Sequence, residues 1–255
     1  MAPHNPFDTA GASFVAPGSK YVLGTDDLGR DLLSQLLYGV RTSTLVGGLA
    51  ASIGAVLGIV IGALAGYYGG VVDDLLSRFT EVFLIIPGFF LALLIISFYG
   101  RSIWYVAIVL GILSWPQVAR ITRGEVFRVR ESSFVESAKA VGASNRQIVF
   151  KEILPNAISP ALVAVMLQIP RAIILEAGLS YLGLWDPSTI SLGYLLYSSR
   201  AFYYNAWWLA IFPALALFIV TLAFNLIGDR VNEELNPKLR NLVFLPSRSG
   251  GPNEP

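Results

Sequence analysis

The chain has 255 residues, of which 55% are hydrophobic and only 14% charged, a balance typical of a membrane protein and not of a water-soluble domain. Lysine and arginine number 18 and aspartate and glutamate 17, so the net charge of +1 gives no signal of nucleic-acid binding. With no cysteine and one histidine, His4, the sequence predicts no metal site and no catalytic residues of the thiol or histidine type.

Five segments are long and apolar enough to cross a bilayer as helices. A hydrocarbon core about 30 Å thick needs about 20 residues at a rise of about 1.5 Å each. Four of the segments have no charged side chain and the other has only Arg171. They are residues 43–68, 82–100, 102–119, 153–175 and 201–228. Because these runs are apolar around the whole circumference, they predict an all-α, polytopic membrane helix bundle.

The spans divide the chain into three parts. Residues 1–42 are predicted as an extracytoplasmic N-terminal segment with a short amphipathic helix, 43–228 as the membrane domain, and 229–255 as a cytoplasmic tail. Within the membrane domain, residues 120–155 form a loop that holds seven of the eighteen basic residues. If this loop is cytoplasmic, twelve basic residues lie inside and five outside. The positive-inside rule therefore predicts an outside N-terminus and a cytoplasmic C-terminus.

The outside N-terminus fits poorly with the first forty residues, which contain no apolar run long enough for a signal peptide or a span. We therefore expect a further segment upstream of this chain. The alternative, that a short and weakly charged tail crosses the membrane with the first helix, stays open.

Small residues recur in the first span at every fourth position, at Gly54, Gly58, Gly62 and Gly66. One helix face there is bare backbone, so another helix can approach closely and associate by van der Waals contact. Packing inside one bundle is favoured over a role specific to a dimer. Prolines such as Pro87 lie in or at the ends of spans, where they can kink the helices.

The basic loop shows the pattern of a helix, a sharp turn and a second helix. Ser133 and Glu136 have the spacing of a capping box, and Gly142 stands where a left-handed residue ends a helix. Ser144 and Gln147 form a second capping box.

The predicted hairpin is too polar to enter the bilayer, but several of its side chains are too apolar to remain in water: Phe134, Val135, Ile148, Val149 and Phe150. Either a soluble partner buries these side chains or they fold back onto the protein's own helix ends. The pattern does not decide between the two.

Charges inside spans usually face a bundle interior or an aqueous cavity, so Arg171 and Glu176 are candidates for a translocation pathway. For Arg171 the alternative is that its side chain extends toward the membrane interface. Gln168 and Asn225 are two further polar candidates for the pathway.

From Gly24 onward the chain resembles inner-membrane permease subunits of bacterial ATP-binding-cassette (ABC) importers of the dipeptide, oligopeptide and nickel type, specifically the C-type permease. Three signatures carry the resemblance. The first is Gly24-Thr25-Asp26-Asp27-Leu28-Gly29-Arg30-Asp31, followed by Leu36-Leu37-Tyr38-Gly39 and Arg41. The second is Glu136-Ser137-Ala138, then Gly142, then Ile153-Leu154-Pro155-Asn156. The third is Glu176-Ala177-Gly178-Leu179-Ser180-Tyr181-Leu182-Gly183-Leu184, with Ala223-Phe224-Asn225-Leu226-Ile227-Gly228-Asp229 near the end.

The resemblance implies the type I ABC importer permease fold with five transmembrane helices and a cytoplasmic coupling-helix hairpin. It implies that the second signature docks on an ATPase, through Glu136, Ser137, Ala138, Gly142, Ala143, Ser144, Leu154 and Pro155. Ser137 and Glu152 depart from the usual motif, conservatively enough to keep docking expected. Members of this type usually begin with an additional transmembrane helix, which agrees with the segment expected upstream.

The resemblance also implies the partners: a homologous second permease, two ATP-binding subunits and an extracytoplasmic substrate-binding protein, assembled in the lipid bilayer of the bacterial inner membrane. The chain contains no GxxxxGK[ST] phosphate-binding sequence, so we expect ATP and magnesium to be bound by the partners and this chain to be no enzyme. Peptides are the expected substrates, with nickel or another small solute as the alternative. A secondary transporter or channel is less favoured, since such proteins more often show inverted repeats and several ionisable midplane groups.

Overall fold

The computed structural model describes residues 2–235, and in that range the chain is helical, with one isolated β-bridge between Thr25 and Asp31. The four longest helices are α1 (Leu32–Tyr68), α4 (Ile103–Arg130), α7 (Leu154–Leu179) and α9 (Trp208–Leu235). The shorter ones are α2 (Gly70–Ile85), α3 (Gly88–Tyr99), α5 (Ser133–Ala140), the single turn α6 (Asn145–Gln147) and α8 (Leu192–Ser199). Two π-helical turns flank α7, at Ile148–Ile153 and Ser180–Leu184.

The second predicted span, residues 82–100, is not one straight helix. Instead α2 and α3 meet at an angle of 80° on either side of Ile86 and Pro87. Proline has no backbone N–H and disfavours the helical conformation of the residue before it, and Ile86 accordingly adopts φ −74° and ψ 125°. Within residues 2–235, four helical segments are long and apolar enough to span a membrane, and the bent pair makes up to five. The all-α membrane bundle is confirmed, with four to five candidate membrane helices.

Several predicted boundaries differ from the observed ones. Helix α1 begins at Leu32, where Asp31 accepts a hydrogen bond from the Ser34 backbone N–H at 2.9 Å, so residues 32–42 continue directly into the first span. Residues 201–207 form turns, and α9 begins only at Trp208. Apolar composition sets how much chain can lie in lipid, but local hydrogen bonds set where a helix starts. Residues 236–255 of the predicted tail lie outside the described residues.

The core of the bundle is the pair α1 and α4, which pack along the glycine stripe of α1. A Cβ atom added at Gly58 would lie 2.5 Å from the Val118 Cβ and 2.8 Å from the Trp115 carbonyl oxygen. At Gly66 it would lie 2.7 Å from the Arg123 carbonyl oxygen. The stripe therefore packs closely against α4 of the same chain.

The helix ends define two ends of the bundle. At the N-terminal end, residues 2–31 cover the starts of α1 and α9, and the Trp208 Nε1 donates to the Thr25 carbonyl oxygen at 3.2 Å. Asp186, in the α7–α8 connection, accepts from the Ile103 backbone N–H at 3.0 Å and so caps α4. Burial acts to raise the pKa of Asp186, but hydrogen bonds from Ser188 and from the Ile103 N–H outweigh it and hold the pKa below its ordinary value. The opposite, hairpin end carries α5 and α6.

Candidate functional site

The hairpin formed by residues 131–153 projects from the end of α4, which continues through the first part of the predicted loop to Arg130. The prediction that Ser133 and Glu136 form a capping box is wrong. The N-cap is Ser132, and its hydroxyl donates to the Val129 carbonyl oxygen instead of capping α5. With the helix starting one residue earlier, Val135 occupies the N3 position that a capping-box glutamate would need.

The turn at Gly142 is a Schellman motif. The Gly142 N–H donates to the Lys139 carbonyl oxygen at 3.0 Å and the Ala143 N–H to that of Ala138 at 3.1 Å. Gly142 has φ +84°, so the predicted left-handed helix end is confirmed. The second capping box is confirmed too, since Ser144 and Gln147 each accept from the other's backbone N–H.

Part of the hairpin folds back onto the bundle. Three of its apolar side chains, Val135, Ile148 and Ile153, are at most 1% exposed. They pack in what we call the anchor cluster, which also contains Ala63, Tyr67, Val126, Val129 and Ala157. Among the residues expected to couple, Ala138, Ala143 and Leu154 pack against this cluster. The protein's own bundle therefore buries these apolar side chains of the hairpin.

Other apolar side chains of the hairpin are exposed. Phe134 is 43%, Phe150 64% and Val141 89% exposed. We call the region around the turn the exposed tip; it comprises Glu136, Ser137, Val141, Gly142 and Ser144, all exposed. Pro155, at the start of α7, is also exposed. The hairpin thus presents a surface with an apolar side chain at its apex while its base is packed firmly in the bundle.

Sequence reasoning missed the group that ties the hairpin to α1. The Tyr67 hydroxyl donates to the Asn145 Oδ1 at 2.9 Å, across 78 residues of sequence. The Arg130 Nη1 donates to the Tyr67 carbonyl oxygen, also at 2.9 Å. In the sequence, Tyr67 is one of two adjacent tyrosines at the end of a span, a position common for aromatic residues at membrane interfaces, so no local signal separates it from Tyr68.

Glu176 lies in α7 and is 2% exposed. Its carboxylate accepts from the Ser43 hydroxyl of α1 at 3.0 Å and from the Ser180 hydroxyl at 2.7 Å. The Ser43 oxygen accepts in turn from the Leu192 backbone N–H, at the start of α8. Glu176 thus joins α1, α7 and α8 in a buried polar network.

The other three pathway candidates lie apart from Glu176. Gln168 is buried and its Nε2 donates to the Ser114 carbonyl oxygen of α4 at 3.0 Å. Arg171 is exposed and donates to the Gln117 side chain. Asn225 is exposed on α9 and donates to the Thr221 carbonyl oxygen of its own helix. The structure therefore does not bring the four candidates into one site.

The family model for binding-protein-dependent transport system inner membrane components matches residues 58–241, which include the whole hairpin. The chain belongs to this family. One relative is the dipeptide transport system permease protein DppC of Alkalihalophilus pseudofirmus, 36% identical over 88% of this chain and 74% of that protein. Another is the glutathione transport system permease protein GsiD of Escherichia coli O157:H7, 40% identical over 88% of this chain and 74% of that protein.

Solved structures of ABC transporters share the fold of this permease. The inward-facing MetNI methionine ABC transporter superimposes with a TM-score of 0.66 at 21% identity, covering 79% of this chain and 96% of that one. An amino acid ABC transporter solved with histidines gives a TM-score of 0.61 at 20% identity, covering 78% and 94%. The expected ABC permease fold is thereby confirmed. The protein is a multi-pass inner-membrane permease subunit of an ABC importer, a family that works in complex with ATPase and binding-protein partners.

Proposed function

We propose that this chain forms half of the translocation pathway of a peptide importer and that its exposed tip docks on a cytoplasmic ATPase. The assembly would contain a homologous second permease, two ATP-binding subunits that hold ATP and magnesium, and an extracytoplasmic binding protein. The observation that carries the proposal is the hairpin itself, whose base is locked in the anchor cluster while its tip is open.

A hairpin of this kind suits force transmission. Close-packed side chains at its base transmit displacement because protein interiors have low compressibility. At the tip, the Glu136 carboxylate has no hydrogen-bond or ion-pair partner within residues 2–235, so it is available to a basic group of another subunit. Val141 offers an apolar contact of the sort that anchors an interface. The hairpin end is accordingly proposed as the cytoplasmic end, in agreement with the positive-inside rule.

Peptides are the proposed substrate class because the relatives are dipeptide and glutathione permeases at 34–40% identity. Nickel or another small solute carried by the same machinery is the alternative. In an uptake assay with a radiolabelled dipeptide, competition by unlabelled peptides but not by nickel ions would support peptides.

Docking is tested with Gly142→Asp, which places a charge at the turn of the exposed tip. Apart from the two chain neighbours, no described atom lies within 4 Å of the added Cβ, so the side chain meets no clash, and we expect insertion to be normal despite the strain of the positive φ. Co-purification of the ATPase subunits and dipeptide uptake should both fall at least tenfold. The matched control is Gly70→Asp, since Gly70 also has positive φ, open space around its Cβ and a place at the hairpin end, but is not in the hairpin. Equal uptake by the Gly142 and Gly70 variants would refute docking through the tip.

A further inference from the structure

We propose that Tyr67 is the positioning residue through which movement of the hairpin reaches α1. The inference rests on the proposed function, because it assumes that an ATPase moves the exposed tip. It goes beyond that function by assigning a role to a residue outside the docking motif and outside the translocation pathway.

Chain connectivity creates the need for such a residue. The hairpin is covalently continuous with α4 at one end and, through the π-helical turn Ile148–Ile153, with α7 at the other. Its displacement is therefore passed to α4 and α7 along the backbone. Helix α1 has no such connection, since α2, α3 and α4 separate it from the hairpin in sequence. Its hairpin end can follow only through non-covalent contacts.

Tyr67 makes such contacts with both the hairpin and the end of α4. It is the penultimate residue of α1 and only 8% exposed, and it belongs to the anchor cluster, which also contains Val135 and Ile148 of the hairpin. Its hydroxyl donates to the Asn145 side chain of the hairpin, and its carbonyl oxygen accepts from the Arg130 guanidinium at the end of α4. A hydrogen bond fixes direction as well as distance, so the side-chain link adds a directional contact to the apolar packing of α1 against α4 and the hairpin.

Asn145 is itself held in place. It is the first residue of α6 and lies between Ser144 and Gln147, which form the capping box. A partner fixed in this way gives the Tyr67 hydroxyl a defined target when the hairpin moves. A single hydrogen bond of ordinary net strength shifts a population by about fivefold.

The neighbouring residue provides a matched control. Tyr68 has the same side chain one position later in the same helix, but it is 56% exposed. Tyr67→Phe and Tyr68→Phe each remove one hydroxyl group and leave the ring. A general effect of losing a tyrosine hydroxyl at this end of α1 would appear in both variants.

The experiment uses the assembled transporter in proteoliposomes, with cysteine-free partner subunits. Because this chain has no cysteine, spin labels can be placed uniquely at Val56→Cys on the exposed side of α1 and Lys139→Cys on α5. Double electron–electron resonance measures the distance between the labels without nucleotide and after trapping with ATP and orthovanadate. The ATP consumed per dipeptide imported is measured in parallel.

In the parent chain and in Tyr68→Phe we expect a single distance between the two labels, the same without nucleotide and after trapping, because α1 moves together with the hairpin. In Tyr67→Phe a second distance should appear on trapping, with the ratio of the two populations shifted about fivefold from the parent, and the ATP consumed per dipeptide should rise because some ATPase cycles no longer move α1. Asn145→Ala should behave like Tyr67→Phe, with no further change in the double variant, whereas Asn145→Asp retains an accepting oxygen and should behave like the parent.

An unchanged distance distribution and ATP cost in Tyr67→Phe would overturn the inference and leave the docking proposal intact. Equal effects of Tyr67→Phe and Tyr68→Phe would overturn it as well. If the ATPase subunits fail to co-purify with the parent chain, the proposed function is wrong. The role assigned to Tyr67 is then wrong as well, because it depends on that function.

Discussion

Glu176 shows how a single polar residue can be accommodated in an apolar span. Its carboxylate is buried, and the hydroxyls of Ser43 and Ser180 satisfy it from two helices. An unsatisfied polar group in lipid or in a packed interior is costly, so the network stabilises one arrangement of α1, α7 and α8. In this conformation the residue holds helices together and does not line an open path.

Glu176→Ala should therefore lower the free energy of unfolding by about 1–2 kcal/mol, because it leaves two buried hydroxyl groups without their acceptor. The control is Asn225→Ala, since Asn225 is exposed and donates only within its own helix. Denaturation of the purified subunit in detergent measures both effects. A loss of stability in Asn225→Ala as large as that in Glu176→Ala would contradict this role for the network.

The pairing of α1 with α4 depends on the absence of side chains along one face of α1. Close approach of backbones increases van der Waals contact, which is the main attraction between helices in a medium as apolar as their side chains. Gly58 lies in the middle of this contact, against Val118 and the Trp115 carbonyl oxygen. Gly48, on the same helix, has no atom within 4 Å of an added Cβ.

Gly58→Ala should destabilise the folded bundle by about 1–3 kcal/mol, because the backbone of α4 must shift to admit one methyl group. Gly48→Ala should be neutral or stabilise by up to about 1 kcal/mol, since alanine is the better helix former. Thermal unfolding in detergent and the amount of protein inserted in the membrane check the pair. Equal stability of the two variants would show that the stripe does not set the distance between α1 and α4.

The prolines show how far sequence can predict the shape of an element. Pro116, Pro170 and Pro213 lie inside α4, α7 and α9, which continue through them, whereas Pro87 separates α2 from α3 by 80°. The missing N–H is the same in each case. A proline in the sequence therefore marks where a helix can bend, but does not by itself decide whether the helix ends there.

For the molecule as a whole, the sequence predicted what depends on composition and on nearest neighbours. The hydrophobic runs located the membrane helices, and Gly142 could be placed in its left-handed turn because a Schellman motif is local. The link from Tyr67 to Asn145 and that from Ser43 to Glu176 join residues 78 and 133 positions apart. Such partners depend on how helices pack, so neither contact has a signature in the sequence.

The two ends of the bundle also allow a test of its orientation in the membrane. Val141 is exposed on the hairpin, and Tyr204 is exposed in the turns before α9, at the N-terminal end. The hairpin and the adjoining end of α4 carry a concentration of basic side chains, which are translocated poorly, so this end should remain in the cytoplasm. Each position can be replaced singly by cysteine without a competing thiol in the chain.

In intact spheroplasts, a membrane-impermeant maleimide should label Tyr204→Cys, and it should label Val141→Cys only after permeabilisation, a difference of at least tenfold in rate. The unsubstituted chain should not react, and both variants should react in detergent, which shows that each thiol is accessible. Labelling of Val141→Cys in intact spheroplasts would place the hairpin outside. It would then be on the wrong side of the membrane for a cytoplasmic ATPase, and the proposed coupling would be excluded.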